Sequence, residues 1–253
     1  LRRLRRLLRQ LLHLAGHHSG QLARRPRRSH PGPGHTPHLP RADEAVPLSQ
    51  RLREGTRPEH EQAEGSGFVE RLMSGRLDVA AYADLAAQQW AIYGALEDAS
   101  AAMRDDTQGA SLVFDELTRT PEIEKDLTFL VGPDWAERVT IHPATERYVA
   151  RLRTVGGFLP AYAAHAYTRY LGDLSGGQII KRMLERHYGL SGDGLAFYTF
   201  VEIPKSKPFK DVYRERLDAL VLTPEQLDET VTEAKHAFRL NSDLFADLGT
   251  AHP

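Results

Sequence analysis

The sequence predicts an all-α protein, and three observations carry that reading. From about Leu48 onward apolar residues recur at three-to-four spacing, with few alternating runs of Val, Ile and Thr. Helix starts are written as Thr120-Pro121-Glu122 and Thr223-Pro224-Glu225-Gln226, each with Thr at the N-cap and Pro at the first helical position. Helix stops are written as Gly75, Gly132, Gly156-Gly157 and Gly189. Between these marks lie helices near 78–103, 121–131, 144–155, 159–188, 209–220 and 224–248. Gln226 adds the return half of a capping box to the last of them. The run LAFYTFVEI, residues 195–203, is the one strand-like stretch. Standing alone, it is expected to pack in extended form rather than build a sheet. No internal repeat is visible, and one multi-helical domain over 45–250 accounts for the pattern.

Residues 1–44 are a different object. The first 42 residues hold ten Arg and no Asp, Glu or Lys, so the formal net charge of -1 hides an acidic remainder: all 34 Asp and Glu face 23 of the 33 Lys and Arg. The opening LRRLRRLLRQLLHL sets Leu1, Leu4, Leu8 and Leu11 opposite Arg2, Arg5 and Arg9. Such a stretch suits a basic amphipathic arm, a targeting segment or a poorly ordered extension. The Pro/Gly/His-rich stretch after it lacks periodicity and reads as a disordered linker. The absence of cysteine excludes thiolate zinc sites, iron-sulfur clusters and cysteine nucleophiles. No run approaches the roughly 20 apolar residues of a membrane-spanning helix. A cytoplasmic monomer with no nucleic-acid partner is expected.

The segment AHAYTRYLGDLSGGQIIKRM, residues 164–183, places Gly172, Gly176 and Gly177 inside a helical context. Each costs about 1 kcal/mol relative to Ala, so something offsets them. Gly172 and Gly176 share a face and strip it of side chains. That suits either tight helix–helix packing or the approach of a flat body. LSGGQ, residues 174–178, also matches the signature of ATP-binding cassette proteins, but no phosphate-cradling G-x-x-x-x-G-K-[ST] loop accompanies it.

At full length YLGDLSGGQ resembles the signature of the haem oxygenase family. LREGTRPEHEQAE (52–64), YGALEDA (93–99), GLAFYTF, FKDVYRERL and AFRLNSDLF resemble further family segments in the family's order. The resemblance implies a fold in which haem b lies between a proximal helix and the glycine-bearing distal helix. It makes His60 the axial ligand of the haem iron, a role a neutral imidazole can fill. It gives Asp173 a water network on the oxygen side of the iron that steers attack to the porphyrin's meso carbon. Tyr93, Tyr148, Arg169 and Asn241 complete that network, with Gly172 and Gly176 leaving room. Arg53, Arg57, Tyr167, Lys210 and Arg214 surround the propionates, and Phe238 adds apolar wall. Arg53, Arg57 and His60 stand at i, i+4 and i+7, one helical face, with Arg where the family commonly has Lys. Pro58 disturbs that face, because proline kinks a helix or marks its first turn. A helix beginning near Thr56 leaves the place of Arg53 open.

The implied activity is cleavage of haem by dioxygen and electrons to biliverdin, at the α-meso carbon by family default, with carbon monoxide and ferrous iron. The chain shows no flavin or nicotinamide fingerprint, so an external donor is implied, a ferredoxin or flavoprotein reductase. Two alternatives stand beside it. One is a haem store using the same pocket without turnover. The other is a di-iron enzyme, for which Glu233-Ala-Lys-His236 would be one of the two Glu-x-x-His pairs needed. His60-Glu61 begins like a zinc motif, but Glu64 stands where its second His belongs.

Overall fold

The structure is a computed structural model that describes residues 46–253; the expectations for residues 1–44 lie outside the described residues. Along the chain the order is α1 (Leu48–Gly55), α2 (Arg57–Glu64), α3 (Gly67–Met73), α4 (Val79–Met103), α5 (Thr120–Leu130), α6 (Trp135–Arg138), α7 (Pro143–Val155), α8 (Leu159–Ala166), α9 (Gln178–Tyr188), α10 (Ser206–Asp218) and α11 (Pro224–Ala251). Short 3-10 turns at Gly109–Leu112 and Asp115–Leu117 precede α5. Among the described residues there is no strand, and no helix is long and apolar enough to cross a membrane.

Two long helices form the frame. Helix α4 opens on Asp78, whose carboxylate accepts from the Ala81 N–H, and is buried on nearly every side, from Tyr82 and Leu85 through Ile92, Tyr93 and Leu96 to Met103. It packs against α5, α7 and α8. Helix α11 opens on the predicted capping box of Thr223 and Gln226 and packs against α1, α2, α3, α7 and α8. Helix α8, LPAYAAHA, is clamped between the two frame helices, and its small alanines allow the close approach. At Gly156 a Cβ would lie 2.6 Å from the Ala99 Cβ, so the glycine that ends α7 also lets it touch α4.

Four sequence expectations change on contact with the fold. The helix expected over 159–188 keeps its course but runs as α8, two π-helical stretches at Tyr167–Leu171 and Asp173–Gly177, and α9. Thr120 is not the cap of α5. The N-cap is Arg119, and the Glu97 carboxylate from α4 accepts from both the Arg119 and Thr120 N–H groups at 2.6 and 3.0 Å. A charged acceptor from a packed neighbour outcompetes a local hydroxyl. The i, i+4, i+7 face of Arg53, Arg57 and His60 is interrupted, because α1 ends at Thr56 and α2 begins at Arg57 with Pro58 in its first turn. The fourth change is the stretch 195–203, which forms turns held from outside.

Asp126, 0% exposed on α5, accepts from the N–H groups of Gly194, Ala196 and Phe197 at 2.7 to 2.8 Å. Burial pushes its carboxyl up, and the three N–H groups pull it back. Arg119 donates to the Phe197 and Thr199 carbonyls and lies over the Phe200 ring. Two charged side chains thus replace the ladder a strand would have needed. Asp126→Ala leaves three buried N–H groups unpaired and is expected to cost about 3 kcal/mol or more. Urea unfolding checks this, and a loss below about 1 kcal/mol would show that water satisfies the segment instead.

Candidate active site

The candidate residues come from many elements of the fold. Helix α11 packs against both α2, which carries His60, and the π stretch that carries Arg169. It thereby sets the distance between them. His60 is partly exposed, with its ring centroid 5.4 Å from that of Phe238 on α11, the two rings nearly perpendicular.

The glycine-bearing stretch presents the side-chain-free face that the spacing predicts. A Cβ on Gly172 or Gly176 would meet no heavy atom within 4 Å, so neither glycine serves helix–helix packing. Gly177 does serve packing, since its Cβ would lie 3.3 Å from the ring of Tyr198 in the turn segment. Among the three glycines two therefore face open space and one faces the core. The π turns belong with this arrangement, for widened turns rotate successive side chains and concentrate at functional sites.

Beside the open face the predicted polar residues do come together. The Tyr93 hydroxyl from α4 donates to the Asp173 carboxylate. Arg169 donates to the Asn241 Oδ1 at 2.9 Å, and its guanidinium lies 4.9 Å from the Tyr93 ring centroid and 6.0 Å from that of Tyr148. Burial pushes the Asp173 carboxyl up to about 6, against the pull of Arg169, the Tyr93 hydroxyl and Arg119. The Tyr148 hydroxyl, pushed up to about 12 by burial, and the Arg169 Nε are buried without a hydrogen-bond partner. Such orphaned groups are suited to ordered water.

Three of the four predicted cations, Arg53, Lys210 and Arg214, lie near one another. Burial raises the Tyr167 hydroxyl, and Arg214 and Arg53 both ease it, which places two guanidinium groups in its field. Lys210, 7% exposed, donates to the Ser175 hydroxyl on the distal stretch at 2.8 Å, and burial lowers its ammonium. Arg214 pairs with Asp211 at 2.9 Å. Arg57 stands exposed. The di-iron pair is not free: Glu233 accepts two bonds from Arg151 and one from His165, and among the described residues no three His, Asp or Glu side chains could hold a metal ion.

An open glycine face, an imidazole on a helix packed against the same frame helix, a half-buried carboxylate and a group of neighbouring cations are consistent with what that resemblance implied, and a family model described as Heme oxygenase matches residues 46–247. The chain belongs to the haem oxygenase family. It is 41% identical to the heme oxygenase 1 of Bos taurus over 215 residues, covering 83% of this chain and 74% of that one. Among solved structures it is similar to the heme oxygenase-1 of Synechocystis in complex with heme, with a TM-score of 0.78 and 37% identity over 81% of this chain and 94% of that chain. The heme oxygenase of Leptospira interrogans matches with a TM-score of 0.74 and 35% identity over 79% and 99%.

Sequence reasoning missed the residues behind this haem oxygenase site. Arg119 and Asp126 sit in TRTPEIEKDLTFL, where nothing separates a buried charge from a solvated one. Ser175 and Gln178 lay inside the family motif itself. The Asp173 carboxyl carries a pH signature. Its folded value near 6 exceeds the ordinary 3.8, so the stability it contributes is fully present below about pH 4 and lost as pH rises through about 6. Asp173→Asn is expected to stabilise the haem-free protein at pH 8, by on the order of 1–3 kcal/mol, and to change little at pH 4. Urea unfolding at the two pH values checks it; equal effects at both would mean the carboxyl does not titrate in this range.

Proposed function

We infer that this chain is a haem oxygenase: it cleaves haem with dioxygen and electrons to biliverdin, carbon monoxide and ferrous iron. The observation that supports this most is the pairing of the open Gly172–Gly176 face with a half-buried carboxylate, Asp173, beside it. A haem carrier has no use for a carboxyl poised near 6.

The residues present fit haem. His60 would supply an imidazole nitrogen to the iron. Gly172 and Gly176 leave space for a flat ring against backbone. Arg53, Arg57, Lys210, Arg214 and Tyr167 supply charge-assisted and hydroxyl donors for two carboxylates, and Phe238 packs beside His60. When bound, haem supplies the iron that activates dioxygen and the porphyrin that is oxidised.

The chain's own part is positional and protonic. Tyr93 and Arg169 hold the Asp173 side chain on one edge of the distal stretch, and Asn241 fixes Arg169. The orphaned Tyr148 hydroxyl and Arg169 Nε hold water at that edge. With a carboxyl near 6, Asp173 can accept a proton from that water and return it close to neutral pH. A network on one side of the distal stretch would steer oxidation toward one meso edge, which the family default makes the α-meso carbon. Electrons come from a separate ferredoxin or flavoprotein reductase, and the group of neighbouring cations gives such a donor a charged approach. The chain acts as a monomer.

The test is one equivalent of hemin with a ferredoxin system or ascorbate under air, followed by the visible spectrum and carbon monoxide release. Soret loss with a biliverdin band and carbon monoxide is expected; a persistent Soret band with a donor competent toward another haem oxygenase overturns the reading in favour of a carrier. In His60→Ala, turnover is expected to fall while hemin is still retained, and undiminished turnover would remove His60 as the ligand. In Asp173→Ala, hemin binding is expected to survive with biliverdin yield cut by about tenfold or more.

A further inference from the structure

Gln178 ends the distal motif and has no role in the chemistry described so far. Its partly buried side-chain amide donates to two carbonyls in different segments: Asp173 in the π stretch, at 3.3 Å, and Tyr198 in the turn segment, at 3.0 Å. One of these carbonyls is a fixed point. The Phe197 N–H beside Tyr198 is held by Asp126, and the Phe197 and Thr199 carbonyls on either side of it are held by Arg119. The other belongs to the residue whose carboxylate matters.

The need for such a tie follows from the glycines. Gly172 and Gly176 flank Asp173 and Ser175 with no packing atom near either, so this backbone has little side-chain restraint on its open side. Gly177 rests on the Tyr198 ring, and Leu174 is 2% exposed in the core. These contacts hold the stretch down but do not fix the rotation of Asp173 about it. A hydrogen bond to the Asp173 carbonyl does.

We propose that Gln178 is a positioning residue for the Asp173 carboxylate, carrying the fixed geometry of the 194–200 segment into the distal stretch through its two amide bonds. Asp126 and Arg119 anchor the segment, Gln178 spans from it, and Asp173 meets Tyr93 at the correct place as a result. The glutamine acts through Asp173 and does not touch haem.

The turnover part of this inference rests on the haem oxygenase reading; the position of the carboxylate does not, and the two are measured separately. Gln178→Met keeps length and removes both N–H donors, and Gln178→Glu keeps shape and turns an acceptor toward two carbonyls. In haem-free protein the Tyr93 hydroxyl proton, bonded to Asp173, reports carboxylate position by NMR. The Tyr82 hydroxyl proton, bonded to the Gly194 carbonyl at 2.8 Å, reports whether the turn segment is intact. Both variants are expected to move or broaden the Tyr93 signal and leave the Tyr82 signal in place. With hemin, the dissociation constant should stay within about twofold while kcat for biliverdin falls about tenfold or more, toward the roughly hundredfold that a misplacement near 1 Å can cost. An unchanged Tyr93 signal in both variants overturns the proposal. Loss of both signals together also overturns it, for Gln178 would then be only part of the scaffold. If neither variant nor the parent degrades hemin while the Tyr93 signal still moves, the activity reading fails and the positioning stands.

Discussion

A helical stretch with one face stripped of side chains has to draw all of its stability from the other. Residues 167–177 are in that position, since Gly172 and Gly176 contribute no packing where the cofactor face lies open. The back of the stretch compensates. Leu171, Leu174 and Tyr170 are buried, Gly177 lies on Tyr198, and Arg169 is bonded to Asn241 on α11. The preceding α8 is alanine-rich enough to sit between α4 and α11. Rigid neighbours therefore make possible a helix that would not hold itself in water.

Three carboxylates shielded from water to different degrees show how a desolvation cost is met in different ways. Glu233 is opposed by burial, yet Arg151 and His165 hold it down to about 2, so it stays charged and structural. Asp126 has no cation bonded to it; burial raises it and three backbone N–H groups restrain the rise. Asp173 has a hydroxyl and an arginine close by but remains raised to about 6. Partner chemistry sorts them. The one left near neutrality is the one beside the open face.

Most of the helices were legible because their signals are local: the three-to-four spacing, the Thr223–Gln226 box and the glycine stops each act within one turn. The α5 start was misread because its acceptor, Glu97, lies on another helix, and only tertiary packing brings it there. The π turns were not legible, since glycines in a helical context signal the cost without stating how the backbone meets it. In the site, the residues of the motif and its flanks could be placed by resemblance, and the bare face followed from spacing. The supporting residues could not, because Asp126 and Arg119 look like surface charges until burial is known. The break at Thr56 was half legible: Pro58 announced it, and the separation of Arg53 from His60 followed from where the first helix ended.

The segment 194–200 has the appearance of a surface loop in any summary of secondary structure, and loops ordinarily absorb insertions and deletions. Here two buried charges grip consecutive backbone groups over a handful of residues. Adding or removing one residue would slide every donor and acceptor past its partner. For engineering, this stretch is fixed in length while free of regular structure, and the tolerant sites for grafting or tagging lie elsewhere on the chain.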